Sequence, residues 1–210
     1  MDEKIIKEIT MKVLQGLSGN DGRKIPIGVS GRHVHLCREH MDVLFGKGSE
    51  LTFMKELMGG QFAAEESIAV VSPKLKSIGR VRVLGPLRNA SQVEISKTDS
   101  FALSLKAPLR ESGDTVGSAP ITLVGPCGAV HINEGVIIAK RHIHMSSEDA
   151  KRLNVADRDI VNVQAGCAER GGVFKHVLVR VDDSFTLEMH IDADEANAFG
   201  VATGSFGEIV

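Results

Sequence analysis

Ser30-Gly-Arg-His-Val-His-Leu36 and Ala139-Lys-Arg-His-Ile-His-Met145 are two copies of one phrase, in which Arg32 matches Arg141, His33 matches His142 and His35 matches His144. Each copy carries imidazoles at i and i+2 inside an apolar run of strand character. Side chains two apart on a strand point to the same face. A chain that repeats this arrangement is an internal duplication with a rigid pair of potential metal ligands in each half.

The surroundings repeat as well. Ile25–Leu36 reads as a strand leading into a helix over Arg38–Leu44 that Gly46 ends, and Gly135–Met145 reads as a strand leading into a helix over Ser147–Leu153. Cys37 falls opposite Ser146, where a serine would cap the helix. Short β-like runs follow in both halves, at Ser67–Ser72, Gly79–Leu84, Ser91–Ser96, Phe101–Leu105, Ile121–Val124 and Ala129–Ile132, then at Ile160–Gln164, Val173–Val181 and Thr186–Ile191. Ser91–Ser96 lines up with Phe185–His190, which sets Glu94 opposite Glu188 and Ser96 opposite His190. With 22 glycines to turn short strands, the expected fold is mainly β: two related small β-barrels with short helical caps. The expected domains are 1–23, 24–134 and 135–210.

Composition excludes several classes. A formal net charge of −2 offers no basic field for nucleic acid or an anionic membrane surface. Trp and Tyr are absent, so base-stacking platforms lack their residues. No apolar run approaches the ~20 residues needed to span a bilayer. Cys37, Cys127 and Cys167 form no paired spacing, which points to a reducing cytoplasm.

Asp2–Leu17 has the periodicity of an amphipathic helix, with Ile5, Ile6, Ile9, Val13 and Leu17 on one stripe. A polar linker follows. Such a helix packs on its own domain, forms a dimer contact or docks on another protein; its pattern alone favours the first two.

A metal needs more than two histidines per half. In the strand Leu187–Ile191, Glu188 and His190 share one face; Glu94 is the comparable residue of the first half, with a structural role and a ligand role evenly matched on pattern alone. His40 reads as solvated, and His131 and His176 sit in ordinary alternating strands. Cys37 fits helix entry better than ligation. Arg88 follows the Gly85-Pro86 turn, where a planar guanidinium suits phosphate but a surface role is commoner. No phosphate-cradling GxxxxGK[ST] loop, dinucleotide GxGxxG or nucleophile elbow is present.

Five blocks resemble the phosphate propanoyltransferases, the phosphotransacylases of propanediol-degrading bacterial microcompartments. They are Pro26–Leu36, Gly60–Glu66, Val83–Arg88 with Gln92–Ser96, Leu109–Asp114 and Ala139–Met145. The resemblance implies paired β-barrels and reversible acyl transfer between coenzyme A and phosphate, on short acyl groups, propanoyl first and acetyl second. It implies one metal held by His33, His35 and Glu94 and open to coenzyme A, and a second held by His142, His144 and His190, zinc being the expected ion. It also implies that Arg88 contacts phosphate, that the chain forms a homodimer, and that residues 1–20 dock on microcompartment shell proteins. Two other classes stay open: a metal-dependent hydrolase on the duplicated barrel, and a metal-stabilised module without catalysis.

Overall fold

The computed structural model describes residues 22–210. The helix expected over 2–17 lies outside the described residues. In the first half come β1 (Lys24–Ser30), β2 (His33–His35), α1 (Arg38–Phe45), β3 (Phe53–Glu56), β4 (Phe62–Val71), β5 (Ser77–Gly85), β6 (Gln92–Glu94), α2 (Lys97–Ala102), β7 (Leu109–Arg110), β8 (Ala119–Val124) and β9 (Ala129–Ala139). Then follow β10 (His142–Met145), α3 (Ser147–Leu153), β11 (Ile160–Ala165), β12 (Gly172–Val181), β13 (Glu188–Asp192), α4 (Ala193–Phe199) and β14 (Phe206–Ile209).

The strands close into two barrels of the same plan. One runs β2-β6-β9-β8-β4-β5 and back to β2, with β3 added beside β4 and β7 beside β9. The other runs β1-β13-β10-β12-β11-β14 and back to β1. In each, a histidine-bearing strand lies antiparallel to one neighbour and parallel to the other. Closure leaves both rings without free edges.

Alternation along the strands separates core from site. Val34 and Val93 point into the first core, with Val81, Val83, Ile121 and Leu123 around them. Ile143 and Met189 do the same in the second, among Ile25, Ile27, Phe174 and Val179. The residues between them, His33, His35 and Glu94 in one barrel and His142, His144 and His190 in the other, therefore face outward.

The barrels do not divide where the sequence repeat suggests. The expected boundary between 134 and 135 falls inside β9, and β9 belongs to the first barrel. Conversely β1, from the first half, closes the second barrel against β13 and β14. Ile25–Leu36 and Gly135–Met145, each expected as one strand, break at Gly31-Arg32 and Lys140-Arg141, where the chain passes from one barrel to the other. Each barrel thus borrows the strand that precedes the other's histidine pair.

Phe101–Leu105, expected as strand, ends a helix instead. Ser96 accepts from Asp99 N, and the Asp99 side chain returns a bond to the Ser96 backbone, a capping box that starts α2. Asp192 and Glu195 make the same box for α4. No helix among the described residues is long and apolar enough to cross a membrane.

Candidate metal centre

The strand register decides which residues meet. His33 pairs with Glu94 across β2 and β6, and His142 pairs with His190 across β10 and β13. Glu94 and His190 are therefore equivalent positions. The alignment that set Ser96 opposite His190 and Glu94 opposite Glu188 is corrected: Ser96 matches Asp192, both being helix N-caps, and Gln92 matches Glu188, which face His35 and His144. Pattern alone slipped by two residues because each strand alternates with the same period.

The arginine of each phrase braces this arrangement. Arg32 holds Asp99 through Nε and Nη2 at 2.9 and 2.7 Å, and Arg141 reaches Glu195 Oε1 at 2.6 Å. Both carboxylates lie in the capping box just beyond the third-ligand strand. Such charge-assisted bonds tie the two strands of each site together.

Two groups of three result, and within each group the potential ligand atoms lie within 4.8 Å of one another. In the first, His33 Nδ1 lies 2.9 Å from the Gly31 carbonyl, which leaves Nε2 as the nitrogen turned to Glu94 and the ligand space. His142 repeats the contact to the Lys140 carbonyl at 2.8 Å. His35 Nδ1 and both ring nitrogens of His144 are buried without a hydrogen-bond partner. His190 Nε2 sits 3.1 Å from Glu188 Oε2 without hydrogen-bond alignment. Buried polar atoms are rarely left unpaired, so these nitrogens fit ligands for an electrophile.

Protonation favours the same use. Burial, then the charges of His33 and Arg88, push the His35 pKa down to about 3. Burial and the neighbouring His142 and His190 bring His144 down to about 3. His142 falls to about 4 through burial, against the Lys140 backbone bond and with His190 and Arg180 beside it. These rings stay neutral near pH 7, the form that binds metals. His33 differs. Burial disfavours its charge, but the Glu94 hydrogen bond and charge outweigh that and raise its pKa. Burial alone would raise the Glu94 carboxyl, yet His33 and then Ser112 hold it well below the usual carboxylate range.

Arg88 stands beside the first group, its Nη1 on Ser112 Oγ at 3.2 Å and its Nη2 near Gln61 Oε1 at 3.5 Å. Its pKa is lowered by burial and by Arg180, while Glu94 opposes. Arg180 belongs to the other barrel, where it neighbours His144 across β10 and β12 and lies 6.0 Å from the Phe185 ring. The Glu94 charge also reaches His142. Charges of each barrel's group are therefore felt at the other. A cleft of about 420 Å³ lined by Arg88, Asn89, Ala90, Gln92, Gly113 and Thr115 opens beside the first group. The cleft of about 300 Å³ beside Lys74 and Lys106 contains none of these residues.

Gln92, Ser112 and Arg180 went unremarked in the sequence as site residues. The alternation Val179-Arg180-Val181 carried a signal for Arg180; a serine in a loop carried none. Cys37 belongs to neither group of three; it stands at the N-cap of α1, as expected, and its backbone N donates to Ser91 Oγ at 2.9 Å. His40 is not merely solvated, since its Nδ1 meets Ser91 Oγ at 2.8 Å.

Residues 26–202 match the protein-family profile described as phosphate propanoyltransferase. The chain is 54% identical over 214 aligned positions to a phosphate propanoyltransferase of Lachnoclostridium phytofermentans, covering 100% of both. It is 51% identical over 187 positions to one of Thermotoga maritima, covering 89% of each. To one of Rhodobacter capsulatus it is 52% identical over 182 positions, covering 86% of this chain and 84% of the relative.

Proposed function

Since the chain belongs to the phosphate propanoyltransferase family, we propose that it interconverts propanoyl-coenzyme A and phosphate with propanoyl phosphate and free coenzyme A, acetyl groups being a second substrate. The observation that supports this reading best is the pair of three-ligand groups at equivalent positions of the two barrels, with Arg88 beside the first.

His33, His35 and Glu94 would hold one divalent metal and His142, His144 and His190 a second, zinc being favoured by the histidine-rich sets. When bound, such ions supply Lewis acidity that lowers the cost of charge developing on the carbonyl oxygen and on sulfur. The remaining work falls to the chain's own groups. Arg88 offers a planar fork to two phosphate oxygens, so that a third is turned toward the thioester carbon. The new C–O bond forms as the C–S bond breaks, and the hydrogenphosphate proton ends on the departing sulfur. No enzyme nucleophile is required.

An acyl-enzyme route through Cys37 is the rival. The Cys37 sulfur meets Ser91 Oγ at 3.5 Å, and His40 bonds that hydroxyl rather than the sulfur. Direct attack predicts that Cys37→Ala keeps activity within about twofold, because the substitution touches only a helix entry. Loss of turnover with metal content intact would favour the acyl-enzyme.

Thiol release from propanoyl-coenzyme A, with and without phosphate, tests the reading as a whole. Release should require phosphate. Release without phosphate would point to a hydrolase on the same barrels, and no release from metal-loaded protein to a non-catalytic module. Residues 1–20 are proposed as the segment that docks on microcompartment shells. Their removal should abolish co-localisation with shells and spare thiol release. A homodimer in the cytoplasm completes the proposal.

A further inference from the structure

One hydroxyl from the loop after β7 reaches both working parts of the first site. Ser112 Oγ donates to Glu94 Oε1 at 2.7 Å and accepts from Arg88 Nη1 at 3.2 Å and from Gln92 Nε2 at 3.1 Å. A serine hydroxyl has one proton to give and two lone pairs, and all are used here. Gln92 Nε2 also donates to Glu94 Oε1 at 2.6 Å, while its carbonyl accepts from Gly113 N at 2.7 Å. Two donors thus occupy Oε1 of Glu94. Oε2 is the oxygen turned to His33 Nε2, at 3.5 Å.

The same loop is tied to the opposite barrel. Arg158, which precedes β11, donates from Nη1 and Nη2 to Glu111 Oε2 and Oε1 at 2.7 and 2.9 Å. That bidentate pair fixes direction as well as distance. Arg158 adopts a left-handed φ of 71°, uncommon for a long side chain.

We propose that Ser112 is a positioning residue that locks Glu94 and Arg88 to each other, and that Glu111 seats its loop against the second barrel. This rests on the roles assigned above to Glu94 and Arg88. Its consequence is a coupling that neither role contains. A carboxylate held on one oxygen keeps the other aimed at the ligand space, and the guanidinium beside it inherits the same anchor. Removing the hydroxyl should therefore loosen metal binding and phosphate binding together.

The test compares Ser112→Ala, Ser112→Thr and Glu111→Gln in the full chain. Zn²⁺ affinity is measured by competition with a chromophoric chelator, and phosphate KM and kcat by phosphate-dependent thiol release. Ser112→Ala should weaken one of the two Zn²⁺ sites by about 10–100-fold, the usual effect of losing a group that orients a ligand, and should raise the phosphate KM as well. Ser112→Thr, which keeps the hydroxyl, should recover most of both. Glu111→Gln should shift both in the same direction by less. The proposal is overturned if Ser112→Ala moves only one of the two quantities or neither, and the role of Glu111 if its variant moves neither. Should wild type show no phosphate-dependent release, the assigned activity fails, while the Zn²⁺ competition still judges the link from Ser112 to Glu94.

Discussion

The two barrels offer ligands from the same three positions, yet the third is a carboxylate in one and an imidazole in the other. Glu94 is 8% exposed, and Ser112 and Gln92 hold its Oε1. His190 is less enclosed and stands beside Glu188, whose carboxylate packs over Gly28 of β1. A Cβ at Gly28 would lie 2.7 Å from Glu188 Oε2. A carboxylate ligand would cancel one charge of a divalent cation, whereas an imidazole ligand would cancel none. Each group also has a cation near it, Arg88 beside the first and Arg180 beside the second, and Glu188 adds a carboxylate to the second. The first is the more enclosed, and we assign the carbonyl and sulfur to it and phosphate to the second. Two sites descended from one plan differ mainly in charge and enclosure.

The largest effect should come from erasing that difference in charge. Glu94→Gln keeps the shape of the side chain and one oxygen but removes the negative charge. Turnover should fall on the order of 10²–10³-fold, comparable with losing a main electrostatic group. Metal analysis should find the first site weakened and the second filled. Equal loss from both sites would mean that they are not independent.

A smaller effect should follow Arg88→Lys. The ammonium keeps the charge and loses the fork, so the phosphate KM should rise by about tenfold, the cost of one charge-assisted hydrogen bond, with a lesser change in kcat. An unchanged KM would remove Arg88 from phosphate binding.

Acid provides a milder probe. His35, His142 and His144 have folded pKa values of about 3, 4 and 3, below the ordinary 6.5. The unfolded chain therefore binds more protons between those limits, and folding loses stability as pH falls below about 6.5. His33, whose pKa is raised, acts in the opposite direction, but one ring opposes three. The denaturation midpoint of metal-free protein should be lower at pH 5 than at pH 7. A midpoint that rose on acidification would mean the three rings are not held neutral.

Much of this was legible from residues alone. The doubled phrase marked both histidine pairs, and alternation in Leu187–Ile191 marked His190. The helix over Ser147–Leu153 is found as expected. What escaped has physical causes. Gly31-Arg32 and Lys140-Arg141 carry no turn signal strong enough to split an apolar run, so the exchange of β1 and β9 between barrels was invisible. The equivalence of Glu94 and His190 follows from helix caps at Ser96 and Asp192, and their short S-x-x-D and D-x-x-E signals were overridden by strand alternation. Ser112 acts through contacts distant in sequence, which no local pattern encodes.

The division of labour between the barrels is tested most directly by His33→Ala beside His142→Ala, with metal content and phosphate-dependent thiol release measured on both. Each variant should lose one of two metal equivalents. His33→Ala should lower kcat at any phosphate concentration, while His142→Ala should mainly raise the phosphate KM and recover activity as phosphate is increased. Identical kinetic losses in the two variants, or the reverse assignment, would contradict the account.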